Sequence, residues 1–286
     1  MVKTVESPLE AYALIDSQRT QGSRVGLVPT MGALHEGHLS LVQRSRDECD
    51  YTVATIFVNP TQFGPHEDYS RYPRTLDSDL GALRDLGADL VFIPTREQLY
   101  PSGFSTYVAP PKIAETLEGA CRPGHFRGVT TIVMKLFQIL PATIAYFGMK
   151  DYQQLAVIRQ MVEDLNVPIR VQGCETVREK DGLALSSRNR YLSEPERANA
   201  LSLWKALQSA AQLVAERVYE VDRLEKRMEE VLYDQGAQSV EYARVVDERN
   251  LETLTRINGR AVALIAAQVG KTRLIDNLIL QTPDAE

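Results

Sequence analysis

Two of the four histidines stand three positions apart in Pro29-Thr30-Met31-Gly32-Ala33-Leu34-His35-Glu36-Gly37-His38, directly after an apolar run at residues 25–28. Pro29 and Gly32 stop the strand that such a run predicts, and a helical pattern starts at His38. The spacing puts both imidazoles on one side of a helix N-terminus. Free backbone N–H groups and the positive end of the helix dipole are expected there, which suits phosphate. Gly37 lacks a Cβ, so a flat base or ribose can come close. Two imidazoles can donate to a triphosphate and follow its charge as pyrophosphate leaves. Zinc fits less well. The metalloprotease helix needs its two His four apart, whereas these are three apart with no third ligand nearby.

Other groups follow later apolar runs. Asn59-Pro60-Thr61-Gln62-Phe63-Gly64 carries two amides able to read a hydroxyl or carboxylate without adding charge. An ordinary polar loop is the plainer alternative. Gly148-Met149-Lys150-Asp151-Tyr152-Gln153-Gln154 places Lys150 at a strand end, against the dipole of the helix it starts unless it meets an anion. Gln154, one turn on, can face the same crevice. In Asp181-Gly182-Leu183-Ala184-Leu185-Ser186-Ser187-Arg188, two hydroxyls precede an Arg whose rigid fork suits polyphosphate. A polar interdomain linker is the alternative there. Asp77 and Asp79 could neighbour a metal, but solvated carboxylates at a helix start are the simpler reading.

These groups need elements to hold them. Apolar runs at 25–28, 52–58, 90–93, 144–147 and 169–172 read as buried parallel strands. Helical periods lie between them, at Leu76, Leu80, Leu83 and Leu86, at 129–140, and at Leu155, Ile158, Val162 and Leu165. The alternation predicts βαβ units and a doubly wound parallel sheet, with ligands beyond the carboxyl ends of the strands. Beyond a polar stretch at 178–189 come two amphipathic helices, about 194–217 and 221–235, then strand-like runs at 240–246, 261–268 and 272–278. The expected organisation is a Rossmann-like domain over 1–175 and a smaller α+β domain over 176–286.

The totals agree. A chain of 286 residues suits about two domains. Its net charge of −6 is a poor match to nucleic acid, so an anion must be held by a local site. Three scattered cysteines give neither a disulfide framework nor a metal knuckle. With no signal-like segment and no apolar run near the roughly 20 residues of a membrane span, a cytoplasmic protein with no membrane partner is expected. No Walker Gly-x-x-x-x-Gly-Lys-Ser/Thr, no Gly-x-Ser-x-Gly and no Gly-x-Gly-x-x-Gly after the first strand is present.

The segments 29–38, 57–63, 122–129, 150–155 and 181–189 resemble, in order, the pantoate–β-alanine ligases of the HIGH-type nucleotidylyltransferase superfamily. The likeness runs from about Gly26 to Tyr191 and more thinly through Asn277. It implies attack of pantoate on the α-phosphate of ATP, giving pantoyl adenylate and pyrophosphate. β-Alanine then attacks the acyl carbon, giving pantothenate and AMP, in the route to coenzyme A. Mg²⁺ accompanies ATP, no tightly bound organic cofactor is needed, and the assembly is a homodimer. The resemblance further implies that Met31, Gly32, Ala33, Leu34, His35, Glu36, Gly37 and His38 line the ATP site, with His38 as proton donor. Gly148, Met149, Lys150, Asp151, Val177, Leu185, Ser186, Ser187 and Arg188 supply the remaining ATP contacts. Gln62 touches pantoate and β-alanine, and Gln154 touches pantoate. His35, His38, Lys150 and Arg188 are the expected catalytic groups. Met149 departs from the family, where Glu is common. Residues 120–128 and 178–190 are expected to order on ATP binding. Two rival readings are a nucleotidylyltransferase that keeps the nucleotide on its product and a non-catalytic ATP sensor. The first would lack Asn59 and Gln62 with Gln154; the second would have lost a phosphate-binding group.

Overall fold

The structure, a computed structural model, describes residues 2–65 and 67–283. It divides into two compact units, Met1–Met149 with Gln154–Glu175, and Lys150–Gln153 with Thr176–Glu286.

The first unit runs β1 (Lys3–Val5), α1 (Pro8–Thr20), β2 (Val25–Thr30), α2 (Glu36–Glu48), β3 (Tyr51–Ile56), α3 (Leu76–Asp85), β4 (Leu90–Phe92), α4 (Arg96–Leu99), α5 (Glu118–Cys121), α6 (His125–Ile139), β5 (Ile144–Gly148), α7 (Tyr152–Asp164) and β6 (Arg170–Cys174). The six strands form one parallel sheet in the order β1-β4-β3-β2-β5-β6. The chain winds outward from β2 to β4 and then returns to place β5 beside β2. The carboxyl ends of β2 and β5 therefore flank the switch point where such sheets hold ligands.

Strand residues alternate between two cores. Val25, Leu27, Val53, Phe92 and Phe147 pack with α1, α6 and α7. Val28, Ala54, Val91 and Tyr146 pack on the other face with Leu41 and Val42 of α2 and Leu83 of α3. Burial on both faces explains why the strands read as continuous apolar runs. Strand β1 is an addition to the expected set; its three residues are too few for a periodic signal. Helix α1 is a second addition, although Ser7 caps it and Pro8 occupies its first turn.

The second unit holds α8 (Glu194–Asn199), α9 (Leu201–Ala215), α10 (Val221–Asp234), β7 (Ser239–Asp247), β8 (Arg260–Val269) and β9 (Thr272–Gln281). The strands form an antiparallel sheet in the order β7-β8-β9. Leu203, Leu207 and Ala210 of α9 and Leu224, Met228 and Leu232 of α10 bury against Ala243, Ala263, Ile265 and Ala267. The single helix expected over 194–217 is divided at Ala200. Lys150–Gln153 groups with this unit because Asn277 Nδ2 donates to the Lys150 carbonyl at 2.8 Å and the Tyr152 hydroxyl to the Glu248 carbonyl at 2.8 Å.

Candidate active site

The turn after β2 brings His35 and His38 together, with ring centroids 4.1 Å apart. His35 is the N-cap of α2, and its Nδ1 accepts from Gly37 N at 3.2 Å. A ring accepting at Nδ1 carries its proton, when neutral, on Nε2, and so can donate there. Ahead of the helix start, the backbone donors of the turn are bonded within the protein. Gly32 N donates to Thr30 Oγ1 (3.2 Å), Ala33 N to Asp79 Oδ2 (2.9 Å) and Leu34 N to Asp79 Oδ1 (2.9 Å). Reading both Asp77 and Asp79 as solvated is correct only for Asp77. Asp79 is 3% exposed, because its carboxylate is taken up by the turn rather than by water.

Beyond β3, Asn59 is 1% exposed and caps the single turn Pro60–Gln62. Its Oδ1 accepts from the Tyr100 hydroxyl (2.8 Å) and Thr61 Oγ1 (2.9 Å). Its Nδ2 donates to Gln62 Oε1 (3.0 Å) and to the Gly128 carbonyl (3.2 Å). Asn59 is thus committed to protein partners, not to a ligand as the sequence allowed. Its effect falls on Gln62. With Oε1 already accepting, Gln62 presents its Nε2 donors, one of them 3.3 Å from Met31 Sδ. A thioether is a weak acceptor, which a substrate carboxylate or hydroxyl readily replaces.

The N-terminal end of α6 braces the Gln62 backbone. His125 Nδ1 meets the Gln62 carbonyl at 2.8 Å, and Arg122 Nη1 meets His125 Nε2 at 3.1 Å. A neutral ring donating from Nδ1 and accepting at Nε2 satisfies both contacts. Burial, helped by the neighbouring Arg122 charge, holds the His125 pKa down at about 4. Arg122 is itself fixed by a two-point pair with Glu67 (2.8 and 2.6 Å) and by Glu118 at 3.7 Å. A Cβ on Gly128 would lie 2.3 Å from the Thr61 carbonyl oxygen and 2.6 Å from Gln62 N. Only glycine lets α6 approach the turn so closely. Arg122, His125 and Gly128 sit in a motif noticed in the sequence, but neither spacing nor charge disclosed their target.

Gly148 ends β5, and Gln154 is half-buried in the first turn of α7. Met149 packs on the apolar core, its Cγ 3.3 Å from where a Cβ on Gly173 would sit. In the second unit, Lys150 is half-buried and Asp151 exposed. Val177 and Leu185 meet across a hairpin, Leu185 N donating to the Val177 carbonyl at 3.0 Å. Ser186 Oγ accepts from Arg188 N at 3.3 Å and caps the turn Ser187–Tyr191, where Ser187 is buried and Arg188 half-buried. Arg178 anchors the hairpin through Asp276 (2.6 and 2.9 Å) and lies 3.9 Å over the Trp204 ring. Residues 120–128 span the end of α5 and the start of α6, and 178–190 span the hairpin that Arg178 anchors.

The sequence profile of the family described as Pantoate-beta-alanine ligase matches residues 3–279. The chain belongs to the pantoate–β-alanine ligase family. Among relatives in that family, the pantothenate synthetase of Acetivibrio thermocellus is 48% identical over 280 residues, covering 98% of this chain and 100% of that protein. That of Thermosipho africanus is 51% identical over 256 residues, 90% of this chain and 92% of that one. The crystal structure of pantothenate synthetase from Thermus thermophilus superposes with a TM-score of 0.92 at 44% identity, covering 97% of this chain and 99% of that one. The pantoate–β-alanine ligase of Francisella tularensis, complexed with β-γ ATP and β-alanine, gives 0.77 at 34% identity, with 98% of each chain covered. The Rossmann-like fold with a smaller second domain, expected from the sequence, is that of these ligases.

Proposed function

We propose that the chain joins pantoate to β-alanine through a pantoyl adenylate. Ligation of this kind is the activity of the family to which it belongs, and the chain is a ligase using ATP as substrate. The observation that carries the residue-level reading is the Gln62 amide, its acceptor occupied by Asn59 and its donors turned toward Met31 in the histidine-bearing turn.

A free carboxylate is a poor acyl donor because oxide would have to leave. In the first step a pantoate carboxylate oxygen bonds to the α-phosphorus, and the bond to the β,γ-diphosphate breaks. Repulsion between carboxylate and phosphate must be offset for this to occur. His35 and His38 hold protons at phosphate oxygens, His38 supplying one to the departing diphosphate. Lys150 and Arg188 contribute fixed positive charge. Gln62 Nε2 and the Gln154 amide hold pantoate while leaving it unprotonated and nucleophilic. In the second step the free amine of β-alanine bonds to the acyl carbon, AMP departs with its oxygen, and the nitrogen loses a proton. No protein nucleophile is needed.

Met31 to His38, Gly148 to Asp151, Val177 and Leu185 to Arg188 form the proposed ATP contacts. Mg²⁺ enters on the ATP phosphates, which suit it as hard oxygen ligands. The family resemblance supports a homodimer in the cytoplasm and the domain limits 1–175 and 176–286. Among the described residues no helix is long and apolar enough to cross a membrane.

The test is to incubate the protein with Mg-ATP and pantoate and to follow diphosphate and AMP with and without β-alanine. Stoichiometric diphosphate without β-alanine and sustained AMP release with it are expected. Folded protein that releases no diphosphate under either condition contradicts the reading.

A further inference from the structure

Asp79 reaches from the first turn of α3 to a turn more than forty residues earlier in the chain. Both of its oxygens accept backbone N–H groups, from Ala33 and Leu34 at 2.9 Å each, and Thr75 Oγ1 adds a third bond at 3.1 Å. The turn it grips is strained. Gly32 has φ 78° and Ala33 φ 51°, and the second carries a Cβ in the left-handed region, which L side chains rarely adopt. A Cβ on Gly32 would lie 3.1 Å from Asp79 Oδ2 and 3.1 Å from Ile56 Cγ2. Strain of this kind persists where the surroundings over-determine the conformation.

Successive N–H groups converging on one point form an anion-binding concavity. We propose that Asp79 is a positioning residue, a built-in anion that fills this concavity, fixes the turn and thereby sets where His35 and His38 stand. Resting on the adenylating function proposed above, this assigns phosphate recognition at the β2 turn to imidazoles and not to the amides of residues 33 and 34. Those amides have a permanent partner, and a second anion there would meet the Asp79 charge.

Hydrogen exchange in the wild-type protein tests this without any activity. The amides of Ala33 and Leu34 are expected to be protected, and Mg-ATP is expected to add no protection to them. A gain in protection at those two amides on ATP binding overturns the proposal. Asp79→Asn sets an N–H₂ group against an N–H donor, and Asp79→Ala removes the anion. In both, protection at residues 33 and 34 falls, and diphosphate release with pantoate slows by about 10²-fold, as displaced catalytic groups do. Formate, which can refill the cavity, restores part of the rate to Asp79→Ala. A defect cured by raised Mg²⁺ and untouched by formate makes Asp79 a metal ligand instead and sinks the proposal. If wild-type protein releases no diphosphate, the adenylating function fails while the exchange result still decides the role of Asp79.

Discussion

His125 Nδ1 donates to the backbone carbonyl of Gln62 across 2.8 Å, so the proposed pantoate contact is held from behind by a buried imidazole. That contact needs a neutral ring, because Arg122 already directs a donor at Nε2.

The consequence is a pH-dependent stability. Above pH 6.5 the imidazole is neutral folded or unfolded, and its contribution is complete. As pH falls from 6.5 toward the folded value of about 4, the unfolded chain takes up a proton that the folded chain refuses, and stability drops. The full loss is about 3 kcal/mol. Arg122 opposes protonation, and Glu118 and Glu67 favour it. Urea midpoints measured between pH 7 and 4 should show this fall, and His125→Asn should flatten it. An equal slope in the variant would show that other groups set the dependence.

Gly128→Ala places a methyl group against the Thr61 carbonyl and Gln62 N. Either α6 or the turn must shift, and Gln62 moves with it. Pantoate kcat/KM is expected to fall by about 10²-fold with the KM for ATP little changed. Steady-state kinetics with each substrate varied in turn separate the two effects.

His38→Ala and Lys150→Ala each remove a proposed transition-state contact to phosphate. Diphosphate release should slow by about 10²–10³-fold in kcat. Near-normal turnover in both would dismiss these two groups as phosphate ligands.

Asp276→Ala leaves the Arg178 guanidinium half-buried against Trp204 without its carboxylate. Removing one partner of a buried pair costs about 3–5 kcal/mol. A lowered midpoint in chemical denaturation, followed through Trp204 fluorescence, checks it.

Much of the sheet is readable in the sequence because strands buried on both faces leave apolar runs with helices between them. β1 is not, because an edge strand of three residues leaves too short a trace. The His35–His38 pair is legible because its geometry is local, set by one helical turn. Asp79 is not, since its partners lie at Ala33 and Leu34 and its carboxylate looks like any other at a helix start. For Asn59 the sequence points to the right amide but the wrong target. Only the fold reveals that Tyr100, Thr61 and Gly128 occupy it. The grouping of Lys150–Gln153 with the second unit depends on Asn277 and Glu248, about a hundred residues downstream.

At Gln62, the proposed pantoate contact, the orientation of the amide is set by a residue placed behind it. A side-chain amide can rotate end for end and ask a ligand for either a donor or an acceptor; Asn59 Nδ2 holding Gln62 Oε1 removes that choice. A ligand that brings a donor to Gln62 Nε2 meets like with like, while one that brings an acceptor is favoured. Replacing Asn59 by Asp would reverse the polarity of the question, making this a site whose preference is rewritten from the second row.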